Sequence, residues 1–262
     1  PDVVFSTGGY VTLAPALASF ILSIPLFIHE QNSVPGLVNR ILNRFSKLTF
    51  EAFPGSFNKS PKIHTVGNPV RSEIIKNPES ETTLKEHFNI LILGGSQGSK
   101  QLNEIVLKAF QDKIIPSHWS IVHQIGDLDK SSLVDVYSKQ SFSYEVVSYI
   151  EDIGRAYHES DLVIGRSGAM TVSEICCSSK PSILFPLPWA ADNHQYFNAK
   201  YLEDKKASIL LESSLDSADR LFTLLNDLEK DHNARHSMSL NAFDAFPVSS
   251  GNRIVEIINE SF

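Results

Sequence analysis

Three polar loops follow predicted strands and carry residue types that bind phosphorylated ligands. The first, Gly94-Gly95-Ser96-Gln97-Gly98, comes after an apolar run over residues 90–93 and precedes a helical pattern. Glycines at such a turn let backbone N–H groups approach an anion, and the start of a helix favours negative charge. The loop has neither the Gly-Lys-Ser/Thr of a Walker A loop nor a complete G-x-G-x-x-G. Phosphate or sugar binding and an ordinary tight turn both remain open for it.

The second loop, Arg166-Ser167-Gly168-Ala169, follows an apolar run over residues 162–165 and opens a helical pattern that contains Glu174. Small residues leave the helix start uncrowded for a diphosphate, and a carboxylate at Glu174 could accept hydrogen bonds from ribose hydroxyls. The alternative is structural: Ser167 caps the helix and Glu174 complements its dipole. Spacing alone slightly favours this alternative.

The third loop runs from Pro186 to Gln195 and places Asp, Asn, His and Gln side chains at the same predicted sheet edge. Ligands of open α/β sheets bind at that edge. Nearer the start of the chain, His29-Glu30-Gln31-Asn32 ends another strand, where it could orient hydroxyls, move a proton or cap the next helix. Arg71 lies at the junction of the two halves and could face a phosphate, although a solvated arginine is the commoner outcome.

The elements that must position these loops alternate between short apolar runs and helical patterns, which is typical of βαβ units. Six predicted strands between residues 90 and 211 make one complete doubly wound domain. Residues 1–80 supply about four strands and look like the latter half of a similar domain. A polar stretch over residues 77–83 is predicted to be a linker. Strands are predicted over residues 3–5, 26–29, 48–51, 63–66, 90–93, 121–124, 145–147, 162–165, 182–185 and 208–211. Helices are predicted from the turn at residues 8–9 through residue 22, and over 35–45, 101–111, 131–139, 153–158, 171–178, 195–204 and 249–260.

Composition excludes several classes of protein. The two cysteines of the 262 residues are adjacent, Cys176 and Cys177, which excludes a disulfide scaffold. The net charge of −7 argues against a nucleic-acid binder. Residues 1–80 hold seven Lys/Arg and five Asp/Glu, a net of +2, so the remainder carries −9. The uncharged run over residues 3–28 contains two glycines and two prolines, which oppose one membrane-spanning helix.

Other patterns point to no chemistry. Asp127-Leu128-Asp129 resembles the D-x-D of metal-dependent sugar transferases, but a turn before a Ser-rich helix start is the better interpretation. No His/Cys spacing suits zinc, and no G-x-S-x-G elbow of a serine hydrolase is found. We therefore predict no metal site and no cofactor beyond a substrate.

Six motifs in order resemble the MurG family of bacterial glycosyltransferases, and the resemblance covers the chain from Pro1 to the last helix. It implies an α/β fold of GT-B type, with two Rossmann-like doubly wound domains of which the N-terminal one is incomplete. The motifs are Ser6-Thr7-Gly8-Gly9-Tyr10-Val11, His29-Glu30-Gln31-Asn32, Gly67-Asn68-Pro69-Val70-Arg71, Gly94-Gly95-Ser96-Gln97-Gly98, Arg166-Ser167-Gly168-Ala169 with Thr171-Val172-Ser173-Glu174, and Gln195-Tyr196-Phe197-Asn198-Ala199.

The resemblance implies inverting transfer of N-acetylglucosamine from UDP-GlcNAc to the C4 hydroxyl of the undecaprenyl-diphosphate-linked muramyl-pentapeptide, which converts lipid I to lipid II in peptidoglycan synthesis. The expected setting is the cytoplasmic face of the bacterial inner membrane, with roles in cell shape and division. Residues 1–80 would be the C-terminal half of the acceptor domain, 81–248 the donor domain, and 249–262 a helix that packs back on the first. Arg40, Arg44 and Lys47 could touch anionic lipid.

The same resemblance implies roles for individual residues. Glu174 would bind the ribose, and Ile150 would offer a backbone contact to uracil. Gln195, beside His194, would contact the GlcNAc hydroxyls, and Asn32 and Arg71 would close the site from the other side. The residues expected near the diphosphate and adjoining donor groups are Ser96, Ala169, Met170, Thr171, Val172 and Ser173.

The family's glycine-rich loop near the N-terminus, which carries the leading candidate for the catalytic base, is not found in this sequence. Because the chain also begins at Pro1 rather than Met, we expect a fragment that binds UDP-GlcNAc weakly and transfers poorly. His29 and Glu30 are then second-choice bases. Two rival hypotheses remain: a UDP-GlcNAc 2-epimerase-like isomerase, and a non-catalytic subunit that binds a UDP-sugar.

Overall fold

The computed structural model describes residues 1–76, 86–95 and 97–262, and these form two parallel β-sheets flanked by helices. The first sheet has the strand order β1-β2-β3-β4, with helices α1 and α2 on the connections. Its elements are β1 (Val4–Ser6), α1 (Leu13–Ile21), β2 (Leu26–Glu30), α2 (Leu37–Leu42), β3 (Leu48–Glu51) and β4 (Ile63–Thr65).

The second sheet has six parallel strands in the order β10-β9-β8-β5-β6-β7. Its order reverses between β5 and β8, and open α/β sheets bind ligands at such a switch point. Its elements are β5 (Phe88–Leu93), α3 (Lys100–Phe110), β6 (Trp119–Gln124), α4 (Ser131–Ser138), β7 (Ser143–Val147), α5 (Ile153–Glu159), β8 (Leu162–Gly165), α6 (Ala169–Cys177), β9 (Ser182–Leu184), α7 (His194–Asp204), β10 (Ser208–Leu210), α8 (Ser217–Lys230), α9 (His232–Phe243) and α10 (Ser250–Glu260).

The prediction of an α/β fold built on parallel sheets is confirmed. The central strand β8 reads Leu-Val-Ile-Gly and all four residues are buried, as expected for a parallel strand covered by helices on both faces. Apolar side chains pack on each side of this sheet in two separate clusters. One surrounds Trp119 and Phe110, and the other surrounds Tyr157 and Phe53, which lies just after β3 of the first sheet.

The last helix, α10, packs against the first sheet. Its Ile254 and Ile257 are buried with Phe27, Phe50 and Val66. The chain thus crosses from the second sheet back to the first at its end. The predicted linker over residues 77–83 and the predicted domain boundary near residue 80 lie outside the described residues.

Two helices were not predicted from the sequence, and one is shorter than predicted. Helix α8, which is amphipathic, and helix α9 follow the last strand, where strand–helix alternation gives no further guide. The predicted helix over residues 35–45 is only Leu37–Leu42. Val38 and Leu42 are buried, whereas Leu37, Ile41 and Phe45 are exposed. The apolar side chains of this segment are therefore divided between the core and the surface.

Cys176 and Cys177 are the last two residues of α6, and both are buried and free. Burial raises the pKa of the Cys177 thiol to about 11, which keeps it protonated at neutral pH. Among the helices described, none is long and apolar enough to cross a membrane.

Candidate functional site

The loops at the carboxyl ends of the two sheets meet in one place. Ser33, just after β2, donates from its backbone N–H to Asn198 Oδ1 on α7 over 2.9 Å. Asn68, after β4, donates to Ser173 Oγ on α6 over 2.9 Å and to the Gln31 carbonyl over 3.1 Å. The loops singled out in the sequence from both halves of the chain therefore form one candidate site.

The N-terminus of α6 lies open at this site. Gly168 is its N-cap, and no side chain in the described part of the chain caps the helix. The N–H of Val172 donates to the Gly168 carbonyl, so the preceding N–H groups, including those of Ala169, Met170 and Thr171, are the ones left without a partner inside the helix. Such groups, together with the helix dipole, favour an anion such as a diphosphate.

Two predicted diphosphate contacts on this helix face inward. The side chain of Val172 is buried in the core, and the buried hydroxyl of Ser173 donates to the Ala169 carbonyl and accepts from Asn68. The structural alternative for Ser167 is wrong in its detail, because its hydroxyl donates to the Gln195 carbonyl over 2.8 Å instead of capping α6. Ser167 thus joins α6 to α7.

Glu174 lies one turn further along α6, with 17% of its side chain exposed. Tyr157 on α5 donates its phenolic O–H to Glu174 Oε2 over 3.1 Å. Arg71 Nη2 lies 3.9 Å from Glu174 Oε1, and its Nε lies 3.8 Å from Glu73 Oε1. Burial raises the pKa of Glu174, while the Tyr157 hydrogen bond and the Arg71 charge lower it. Arg71 therefore lies beside Glu174, as expected if both line one cleft.

The glycine-rich loop after β5 packs tightly on the loop after β6. Gly98 has φ +78°, and a Cβ there would lie 2.2 Å from the Ile125 carbonyl oxygen. Gly126 has φ +70°, and its Cβ would lie 2.1 Å from the Gly98 nitrogen. Glycine is thus required for this close approach. Ser96, the residue predicted to contact the donor, lies outside the described residues.

Arg166 holds together four segments at this sheet edge. Its Nε donates to Ser99 Oγ over 2.8 Å and its Nη2 to Gln101 Oε1 over 3.2 Å. Its Nη1 donates to the Phe185 carbonyl over 3.0 Å and to Ser213 Oγ over 2.5 Å. Burial lowers the pKa of Arg166 to about 10, so the guanidinium stays charged at neutral pH. It supplies positive potential beside α6 while fixing the surrounding loops.

Gln195 and Asn32 are both half-buried at the site, and protein groups already engage part of each side chain. Gln195 Oε1 accepts from the Leu187 N–H over 3.0 Å, and Asn32 Oδ1 accepts from Asn198 Nδ2 over 3.2 Å. His194 donates to the Ala191 carbonyl through Nδ1, since a carbonyl can only accept. Ile150 is half-buried in the loop between β7 and α5.

The structure places His29 and Glu30 inside the protein rather than at the cleft surface. Both are 2% exposed. His29 donates from Nε2 to the Gly67 carbonyl over 2.9 Å, and burial lowers its pKa, so the ring is neutral. Glu30 accepts from the N–H groups of Asn32 and Gly36 and from the Asn39 amide, over 2.9 to 3.0 Å. This geometry organises a loop and lends no support to either residue as the base.

Two further residues of the site were missed by the sequence analysis. Asn198 is fully buried, and its amide donates to the Ser167 carbonyl and Asn32 while accepting from Ser33. Tyr157, which holds Glu174, is fully buried as well. The available signal was an asparagine on the buried face of α7, beside Ala199. Such a polar residue needs partners.

The D-x-D pattern forms a turn, as expected. Asp129 accepts from the backbone N–H and the hydroxyl of Ser131, over 3.0 and 2.6 Å, at the start of α4. Within the described part of the chain, no group of three or more His, Cys, Asp or Glu side chains could hold a metal ion.

Comparison with known proteins identifies the family. Residues 89–254 match the glycosyltransferase family 28 C-terminal domain, and residues 1–50 match the family's N-terminal domain. A Coxiella burnetii protein (strain RSA 493 / Nine Mile phase I), named UDP-N-acetylglucosamine–N-acetylmuramyl-(pentapeptide) pyrophosphoryl-undecaprenol N-acetylglucosamine transferase, is 39% identical over 246 residues. The aligned region covers 92% of this chain and 68% of that protein.

Solved structures agree with the sequence comparison. The crystal structure of Acinetobacter baumannii MurG is 33% identical, with a TM-score of 0.87, over 99% of this chain and 73% of that one. A Neisseria meningitidis UDP-GlcNAc 2-epimerase bound to UDP-GlcNAc has a TM-score of 0.69 over 99% of this chain and 76% of that one, but is only 15% identical and shares the fold alone. This chain therefore has the GT-B fold and belongs to glycosyltransferase family 28, within the MurG group of transferases.

Proposed function

We propose that this chain transfers N-acetylglucosamine from UDP-GlcNAc to the C4 hydroxyl of the undecaprenyl-diphosphate-linked muramyl-pentapeptide, the step from lipid I to lipid II. The observation that carries the proposal is the open N-terminus of α6 with Glu174 one turn behind it. Free N–H groups at Ala169 to Thr171 suit a diphosphate, and the carboxylate of Glu174 suits the ribose. The Coxiella burnetii relative is named for this transfer.

The chemistry that this site supports is a single displacement with inversion. The acceptor oxygen forms a bond to the anomeric carbon while the bond from that carbon to the diphosphate oxygen breaks, and UDP leaves with the electron pair. The proton of the acceptor hydroxyl passes to a base. The start of α6 and the charge of Arg166 offset the negative charge that grows on the leaving diphosphate.

The first test is donor binding by the chain and its variants, measured by titration calorimetry with UDP. Replacing Glu174 by Ala removes the ribose acceptor, and hydrogen bonds to a charged group are worth about 1.5–3 kcal/mol, so affinity should fall about 20-fold. Glu104→Ala is the matched control, since Glu104 lies on α3 and pairs with Lys100 at the surface. It should leave UDP affinity unchanged.

A second measurement separates the transferase from its rivals. UDP release from UDP-GlcNAc is followed with and without a lipid I analogue. A transferase releases UDP and forms the disaccharide only with the acceptor. Conversion or hydrolysis of UDP-GlcNAc without acceptor would point to a 2-epimerase-like enzyme, and UDP binding with no conversion of UDP-GlcNAc under any condition would point to a non-catalytic subunit. Either result, or unchanged binding in Glu174→Ala, would contradict the proposal.

We also propose that the first half of the chain docks on the anionic cytoplasmic face of the inner membrane, where its product would serve wall growth, cell shape and division. The support is an apolar patch made of Phe20, Ile21, Leu22, Ile41 and Phe45, which are between 42% and 79% exposed. The ring centroids of Phe20 and Phe45 are 5.2 Å apart, so α1 and the segment that follows α2 present one surface.

Basic residues lie close in sequence to this apolar patch. Arg40 and Arg44 lie on the same segment as Ile41 and Phe45, and Lys47 follows. Apolar side chains beside cations are the combination that binds anionic lipid surfaces. Membrane association is measured by flotation with vesicles containing an anionic phospholipid. Phe20→Ser/Phe45→Ser should reduce the bound fraction several-fold, and Arg44→Glu/Lys47→Glu should abolish the dependence on anionic lipid. Binding that neither double variant alters would contradict this docking.

A further inference from the structure

We propose that Tyr157 is a positioning residue for donor binding, whose buried phenol fixes the orientation in which Glu174 presents its carboxylate to the ribose of a uridine nucleotide. The inference rests on the proposed function, because it takes Glu174 as the ribose-binding group. Tyr157 itself touches no substrate in this account and acts only through Glu174.

The geometry places the phenol behind the carboxylate. Tyr157 is 0% exposed, and its O–H donates to Glu174 Oε2 over 3.1 Å. A buried tyrosine hydroxyl needs a hydrogen-bond partner, and Glu174 provides it. Because Oε2 is held from the protein interior, Oε1 is left on the side of the cleft, 3.9 Å from Arg71 Nη2.

Without the phenol, Glu174 would have another orientation available. A glutamate side chain has several rotatable bonds, and Arg71 offers a charged partner on the cleft side. The Glu174 carboxylate could turn toward Arg71. That ion pair would engage the carboxylate, which is proposed to bind the ribose, and the guanidinium, which is predicted to face the diphosphate. Tyr157 therefore limits how closely the carboxylate can approach Arg71, as well as fixing the orientation of that carboxylate.

The support for Tyr157 is rigid. α5 packs against the turn that follows Arg71, where a Cβ on Gly154 would lie 2.6 Å from the Glu73 carbonyl oxygen. His158, also on α5, bonds through Nε2 to the Ile74 carbonyl over 3.2 Å. One helix thus holds the phenol and the backbone beside Arg71 in a fixed relation. This is the arrangement that positions a ligand-binding group most accurately.

The test compares Tyr157→Phe with the matched control Tyr137→Phe. Tyr137 is also 0% exposed and its phenol hydrogen-bonds to His123 over 3.0 Å, but it lies on α4 and in the other core cluster. The ligands are UDP and 2′,3′-dideoxy-UDP, which lacks both ribose hydroxyls, and affinity is measured by calorimetry. Thermal unfolding confirms that each variant is folded.

Tyr157→Phe should weaken UDP binding about fivefold and dideoxy-UDP binding less than twofold, because only UDP has ribose hydroxyls that can donate hydrogen bonds to Glu174. Tyr137→Phe should change neither affinity. Glu174→Asp, which keeps the charge but retracts the carboxylate from the phenol, should lose affinity with the same dependence on the ribose hydroxyls. This variant keeps the test usable if Tyr157→Phe does not fold.

Equal weakening of both ligands by Tyr157→Phe, or no weakening of either, would overturn the inference. The double variant Tyr157→Phe/Glu174→Ala should bind UDP no worse than Glu174→Ala. If Glu174→Ala itself leaves UDP binding unchanged, the ribose assignment in the proposed function fails. If Glu174→Ala weakens UDP binding and Tyr157→Phe does not, only the positioning role fails.

Discussion

Two glutamates, one buried and one half-buried, lie at the carboxyl ends of the two sheets and make different contacts. Glu30, the last residue of β2, is 2% exposed, and its carboxylate oxygens accept from two backbone N–H groups and from the amides of Asn32 and Asn39. Glu174, on α6, accepts one phenolic O–H and lies 3.9 Å from Arg71. The first carboxylate is saturated by its own loop, whereas the second keeps acceptor capacity at the cleft.

The difference teaches that a polar residue at a strand end is not by itself a ligand-binding residue. A carboxylate on a turn finds the N–H groups of the next residues within reach, as Glu30 does with Asn32 and Gly36. A carboxylate inside a helix has no free backbone N–H nearby, because the helix uses them. Glu174 therefore depends on Tyr157, Arg71 or a ligand.

The largest expected effect is on stability. Glu30→Ala leaves several buried donors of the loop without an acceptor, so the free energy of unfolding should fall by about 3 kcal/mol. Glu174→Ala leaves only the Tyr157 phenol unpaired and should cost about 1 kcal/mol. Urea unfolding of both variants measures the contrast. An unchanged unfolding energy in Glu30→Ala, combined with loss of transfer, would instead favour Glu30 as a base.

The next effect concerns the contacts that join the two regions. Asn198→Asp keeps the acceptor for Ser33 but removes the donor to Asn32 and to the Ser167 carbonyl, and it buries a charge. We expect a loss of about 2 kcal/mol in urea unfolding. Asn226→Asp is the control, since the amide of Asn226 donates to the Phe222 carbonyl within α8. Similar losses in both variants would show that the contact between the halves contributes nothing of its own.

The smallest expected effect is a pH dependence of donor binding. Burial raises the pKa of Glu174, and Tyr157, Arg71 and Cys177 lie around its side chain. Only the ionised carboxylate, and not the protonated acid, can accept hydrogen bonds from both ribose hydroxyls. UDP-GlcNAc affinity, measured by calorimetry over the acidic to neutral range, should therefore be constant above that pKa and fall as the pH drops through it. Glu174→Gln should bind weakly with no such dependence. A wild-type profile that matches the Gln variant would exclude Glu174 as the titrating group.

Much of the fold was predictable because it follows from local patterns. The strands Leu48–Glu51 and Leu162–Gly165 have the predicted bounds, since each is a short apolar run ended by polar or small residues. The helices α8 and α9 were not predicted, although α8 has an ordinary amphipathic pattern. Strand–helix alternation was the guide, and it ends at β10.

The candidate site was predictable in its location but not in its details. Loops at the carboxyl ends of parallel strands meet at one edge of the sheet. The sequence therefore predicted that Glu174 and Gln195 belong to one site. Whether a given side chain faces the cleft depends on partners far along the chain. His29 is turned inward by the Gly67 carbonyl, 38 residues away, and Ser173 by Asn68, 105 residues away.

The sequence by itself determined the parallel α/β architecture, the strand-end loops and, through six ordered motifs, the family. Hydrophobic periodicity and turn residues act over a few positions, so they can be read directly from the chain. Only the tertiary structure decided which buried polar groups are already paired. Asn198 closes three hydrogen bonds between the two halves and a fourth to the Ser167 carbonyl, and Tyr157 reaches Glu174 from a different helix. Those pairings depend on the packing of distant elements, and burial makes each unpaired group costly.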